Sequence, residues 1–130
     1  MSIKAHALII DDDSGNNRVL AELLEREGVS STIIQNPGDL ETVVDNLTEC
    51  NIVFLDLEMP ERDGYEVFEI LAADSRFQSV PIVACTVHTN EAAQVRRTGL
   101  DGFIGKPLDP QRFPGQLERL LNGEQVWDIR

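Results

Sequence analysis

A chain of 130 residues with 42% hydrophobic content has enough apolar material for one buried core, and its length is that of a single domain. Its 23 acidic residues against 11 basic ones give a net charge of −12, which argues against direct binding to nucleic acid. No apolar run is long enough to span a membrane, and the one near the N-terminus is closed too quickly by acid to be a secretion signal, so the expected setting is the cytoplasm. Cys50 and Cys85 show neither disulfide nor metal spacing and read as reduced packing groups.

Strand-like and helix-like periodicity alternate along the chain. His6 to Ile10 is the first apolar run, and it meets Asp11, Asp12 and Asp13. Val19, Leu20, Leu23 and Leu24 then recur at helical spacing until Gly28. Thr32 to Ile34 predicts a second strand, followed by an Asn-Pro-Gly turn and a helix carried by Leu40, Val43, Val44 and Leu47. Ile52 to Leu55 is a run of the kind buried on both faces of a parallel sheet, and Asp56 ends it. Pro60 and Gly64 mark a turn before Val67, Phe68 and Leu71.

Pro81 introduces a fourth strand, Ile82 to Cys85, with Thr86 at its end. The helix over Asn90 to Arg97 has only Ala92, Ala93 and Val95 as apolar anchors, so it should be held loosely before Gly99 closes it. Gly102 to Ile104 is a fifth strand, and Lys106 and Pro107 follow. Asp109 reads as an N-cap with Pro110 at the first helical position, ahead of Phe113, Leu117, Leu120 and Leu121. Asn122 and Gly123 end that helix, leaving residues 124–130 as a tail containing Trp127.

Five strand-helix units in succession require right-handed crossovers, hence a doubly wound α/β domain with a five-stranded parallel sheet. Ligands of such sheets bind beyond the carboxyl ends of the strands. Asp11, Asp12, Asp56, Thr86 and Lys106 all fall at that rim. Taken singly each has a plainer reading: a solvated turn, a hydroxyl on a neighbouring backbone group, a surface lysine. Asp13 or Ser14 is expected to cap a helix whatever the protein does. Together, however, three crowded carboxylates repel one another unless a cation lies among them, and Mg2+ is the economical choice because it takes carboxylate and phosphate oxygens. Asp56 is then the candidate nucleophile toward an activated phosphorus, with Lys106 and Thr86 meeting the remaining phosphoryl oxygens. No phosphate loop of the GxxxxGK[ST] type is present, so ATP is not the expected direct donor.

The motifs IIDDD at Ile9 to Asp13, FLDLEMP at Phe54 to Pro60, the strand-end Thr86 and GFIGKP at Gly102 to Pro107 strongly resemble the receiver domain of bacterial two-component response regulators. The resemblance covers essentially the whole chain. It implies a flavodoxin-like (βα)5 fold with strand order 2-1-3-4-5, a receiver over residues 1–123, and no effector domain in the tail. Asp56 would be the phosphoacceptor. Asp11 and Asp12 would be the acidic pair for Mg2+, with Asp56 and the backbone carbonyl of Glu58 as further ligands, and Lys106 would pair with the phosphoryl group. The peptide between Lys106 and Pro107 would be cis. Thr86 and Phe103 would form a switch, Thr86 swinging toward the phosphoryl group and Phe103 turning inward. The donor would be a phosphohistidine on a sensor histidine kinase or histidine phosphotransfer domain, docking beside the first helix. The output protein is open, as is the choice between a monomer and a phosphorylation-dependent dimer. The chain would be no enzyme toward outside substrates, catalysing only its own phosphoryl transfer and dephosphorylation.

Val87 replaces the smaller residue usual after the strand-end threonine, and it is expected to slow loss of the phosphoryl group. Glu58 either reaches the metal or repels the donor. His88 reads as a solvated loop residue near the site entrance, and His6 as structural. The competing reading is a receiver-like docking or dimerisation module that is never phosphorylated. A free-standing hydrolase would need an acid-base residue and a substrate pocket that the sequence does not show.

Overall fold

A computed structural model describes residues 5–128, apart from the side chain of Thr89. Residues 1–4 and 129–130, the outer ends of the expected domain and tail, lie outside the described residues. The apolar runs pair as a parallel sheet: β1 (Ala5–Ile10), β2 (Val29–Ile34), β3 (Ile52–Leu55), β4 (Ile82–Thr86), β5 (Gly102–Gly105) and β6 (Val126–Asp128). Their order is β2-β1-β3-β4-β5-β6, every pair parallel. Every residue of β3, β4 and β5 is buried, which is what continuous hydrophobic runs need, whereas β2 at the edge is buried only at Val29 and Ile34.

Helices α1 (Ser14–Arg26), α2 (Leu40–Asp45), α3 (Gly64–Ala72), α4 (Ala92–Thr98) and α5 (Phe113–Leu121) cover both faces of the sheet. On one face, Leu20, Leu23 and Leu24 of α1 and Phe113, Leu117 and Leu120 of α5 pack with Ile9, Phe54, Val83 and Ile104. On the other, α2, α3 and α4 bury Leu40, Val67, Phe68, Leu71 and Val95 against Ile10, Leu55, Ala84 and Phe103. The sheet is thus doubly wound as expected. β1 lies between β2 and β3, so the crossovers diverge there and open a crevice above its carboxyl end.

Two expectations need correction. Among the described residues the sheet has six strands, not five, because residues read as a tail form β6 beside β5. A three-residue strand is too short to show periodicity. One sequence signal does accompany it: a Cβ at Gly102 would lie 2.8 Å from the Val126 carbonyl oxygen, so only glycine lets β6 approach this closely. The last helix also begins later than Pro110. Asp109 does accept from the Gln111 N–H at 2.9 Å, but this closes a turn, and α5 starts at Phe113 with Pro114 in its first turn. α4 is short and begins after a 3-10 turn over Thr89–Glu91, with Ala92 and Val95 as its buried residues.

Candidate functional site

Backbone pairing carries the acidic residues to one place. Asp11 leaves β1 with its N–H donating to the Ile34 carbonyl at 3.2 Å, and the Asp56 N–H donates to the Ile10 carbonyl at 2.9 Å. Asp11 and Asp56 therefore stand side by side where β1 and β3 end. Asp11, Asp12 and Asp56 each present a carboxylate oxygen within 4.8 Å of the others. Asp13 turns away and caps α1, accepting from the Asn16 N–H at 3.0 Å, as its ordinary reading required. Asn17, unremarked in the sequence, donates from Nδ2 to the Asp11 carbonyl at 2.8 Å and pins the turn from beneath.

After Asp56 the chain folds back so tightly that a Cβ on Gly64 would lie 2.5 Å from the Leu57 Cα and 2.6 Å from the Asp56 carbonyl oxygen. Glycine is required there by close backbone approach. The Glu58 N–H donates to Asp56 Oδ1 at 3.3 Å. Lys106 follows β5 directly and precedes a cis peptide to Pro107; its N–H donates to the Thr86 carbonyl at 2.9 Å, and its Nζ donates to Asp11 Oδ2 at 2.5 Å. Both side chains of that pair are buried. Thr86 is buried as well, and its hydroxyl oxygen accepts from the His88 N–H at 3.3 Å.

The Asp56 carboxyl is raised to about 6 because burial and the neighbouring Asp11 charge push it up by more than Lys106 pulls it down. Burial opposes the charge on Lys106, yet its hydrogen bond to Asp11 and the surrounding acidic groups hold its pKa above the ordinary lysine value. One ammonium, bonded to Asp11, thus stands against a cluster of three carboxylates. The surplus negative charge fits a hard divalent cation with oxygen ligands.

The exposed Glu58 carboxylate is paired with His88 Nε2 at 2.7 Å, so His88 has a partner and Glu58 is drawn to it. Val87 is exposed. Phe103 lies wholly inside, its strand flanked by β4 and β6. His6 bridges Ser30 Oγ and Thr32 Oγ1 at 2.7 and 2.6 Å, a structural role. A cavity of about 120 Å3 lies beside Asp56, lined by Val19 and Leu20 of α1, Phe54, and Pro107 and Leu108.

The family model for the response regulator receiver domain matches residues 7–118, nearly all of the sheet and the whole acidic site. The chain belongs to this family. As a receiver it is 32% identical to response regulator Rre1 of Synechocystis over 131 aligned positions, covering 92% of this chain and 52% of that protein. It is 27% identical to chemotaxis protein CheY1 of Helicobacter pylori, covering 88% and 94% respectively. The chain thus spans about half the length of Rre1 and nearly all of CheY1. Among solved structures, Vibrio cholerae CheY4 superposes with a TM-score of 0.81 at 19% identity, covering 91% of this chain and 99% of that one. The receiver domain of a Pseudomonas aeruginosa sensor histidine kinase, crystallised with a magnesium ion in its active-site cleft, does so at 0.80 and 19%, covering 92% and 99%. These two likenesses show the receiver fold. No helix among the described residues is long and apolar enough to cross a membrane.

Proposed function

We propose that this receiver accepts a phosphoryl group on Asp56 from a phosphohistidine of a histidine kinase or phosphotransfer protein and changes a partner-binding surface in response. The observation that carries this reading is the convergence of Asp11, Asp12 and Asp56 within 4.8 Å, with Lys106 held among them by Asp11. A scaffold has no need of such a costly cluster.

In the transfer, an ionised Asp56 oxygen forms a bond to phosphorus as the bond from phosphorus to the donor imidazole nitrogen breaks, and that nitrogen keeps the electron pair. Half-burial of Asp56 removes part of the hydration of the attacking oxygen. Lys106, fixed by Asp11 and by its own backbone, presents its remaining ammonium hydrogens to the phosphoryl oxygens without reorganising. The Thr86 hydroxyl, an acceptor toward His88, retains a proton to donate to the same group. Asp11, Asp12 and Asp56, with the Glu58 carbonyl, would hold magnesium. Bound magnesium supplies positive charge that offsets the negative charge developing on the transferred group. The same residues serve the reverse purpose when water attacks the aspartyl phosphate, so the chain acts on itself alone.

The apolar cavity between α1 and Pro107 suits the flank of a donor helix whose histidine reaches over Asp56. The functional unit in this reading takes in β6, and it works in the cytoplasm. Intact mass after incubation with Mg2+ and acetyl phosphate tests the assignment. A phosphoryl adduct is expected on the wild type and none on Asp56→Asn. Absence of an adduct on either would leave the unphosphorylated docking module as the function.

A further inference from the structure

The added strand is tied to both helices beside it. β6 pairs with β5 in register, Phe103 against Trp127 and Ile104 against Asp128. Asp128, 5% exposed, accepts from Gln116 Nε2 of α5 at 2.8 Å and from Arg112 Nη1 at 3.4 Å. Trp127 packs against the core cluster that includes α4, and the Arg96 guanidinium of α4 lies 4.4 Å from its ring centroid, where the negative face of the indole attracts a cation.

That contact adds to few other anchors of α4. Of its residues, Ala92 and Val95 are buried, so its hold on the sheet is slight. The loop leading into it hangs from Thr86, whose hydroxyl accepts from the His88 N–H; the His88 carbonyl accepts in turn from the Glu91 N–H at 3.2 Å. A row of register partners joins the two ends of this arrangement. Leu55, which precedes Asp56, is beside Ala84; Ala84 is beside Phe103; and Phe103 is beside Trp127. Thr86 lies two residues beyond Ala84 and so on the same side of β4. Phe103, in the middle of the row, is wholly buried, and close-packed interiors pass a displacement on to their neighbours.

We propose that β6 is a latch, with Trp127 and Asp128 holding α4 and α5 in the arrangement of the unphosphorylated protein and so limiting how readily Asp56 is phosphorylated. The proposal rests on Asp56 being the phosphoacceptor. When the Thr86 side chain swings toward a phosphoryl group, its oxygen leaves the His88 N–H and the entry to α4 loosens. The Arg96 to Trp127 contact at the other end of α4 opposes the shift. Because coupling free energy is reciprocal, loosening the latch must favour the phosphorylated form by the factor through which phosphorylation loosens the latch.

The chain's single tryptophan is Trp127, so its emission reports on the latch alone. The experiment titrates full-length wild type, Arg96→Ala, Arg96→Lys and Asp56→Asn with beryllofluoride, a phosphoryl mimic, in Mg2+, while intact mass after acetyl phosphate records phosphorylation separately. Arg96 is exposed, so its alanine variant should keep the fold. The emission of wild type should change on binding and that of Asp56→Asn should not. Arg96→Ala should bind beryllofluoride about 5-fold or more tightly than wild type, with Arg96→Lys in between. An adduct on wild type with unchanged emission, or with equal or weaker binding by Arg96→Ala, overturns the latch and leaves the phosphoacceptor intact. No adduct and no beryllofluoride binding overturns both.

Discussion

Replacing Asp56 by asparagine should stabilise the metal-free protein, and more so at neutral than at acidic pH. The Asp56 carboxyl is raised from 3.8 to about 6, chiefly by burial. The folded state therefore holds this proton more tightly than the unfolded chain does. Stability must then fall as pH rises from 3.8 toward 6, the opposite of a carboxylate engaged in an ion pair. At about 1.4 kcal/mol per pH unit, the full window amounts to at most about 3 kcal/mol. Asp56 is only half-buried, and solvent screening reduces this to about 1–2 kcal/mol. Urea unfolding in a chelator, at about pH 5 and about pH 7.5, measures the effect as a difference between wild type and Asp56→Asn. That subtraction removes the contribution of other titrating groups. The advantage of the asparagine variant should grow by about 1 kcal/mol between the two pH values. Mg2+ should shrink it at the higher pH, because an ion that binds the native carboxylates stabilises wild type preferentially. An advantage that stays constant or declines with pH would refute the charge-crowding account.

Other expectations can be checked with the same preparations. Gly64→Ala forces a Cβ into the Leu57 and Asp56 backbone and should cost more than about 2 kcal/mol in urea unfolding; a loss below about 0.5 kcal/mol would show that the turn yields freely. Lys106→Met leaves Asp11 buried without its ammonium and should cost about 3 kcal/mol in stability, while slowing adduct formation from acetyl phosphate at least tenfold in a mass time course. Stability and rate both at wild-type levels would remove Lys106 from the site. Val87→Ala should shorten the lifetime of the aspartyl phosphate, and equal lifetimes would exclude a shielding role for this exposed side chain.

How legible each part was in the sequence depends on the range of the interactions that fix it. β3, β4 and β5 were plain because burial on both faces demands unbroken apolar runs, and Asp56 stood out as the charge that interrupts one. Asp11, Asp12, Asp56, Thr86 and Lys106 could be placed on one rim because parallel strands put every carboxyl end on the same side. The start of α5 was misplaced because an Asp-Pro pair suits a turn as well as a cap. β6 was missed for a different reason: its three residues owe their conformation to Gly102, Gln116 and Arg96, all distant in sequence. The Glu58 to His88 pair was hidden likewise, since it joins two loops that meet only in the folded chain.

Glycine at position 102 has a consequence for how any neighbour could recognise this molecule. With β6 seated against it, β5 is flanked by a strand on each side over Gly102–Ile104, and among the described residues the sheet ends in a strand of three residues. Strand addition, the simplest way for an extended peptide to join a parallel sheet, has little template on this side. Whatever reads the state of the protein there has to do so through side chains, by shape and charge.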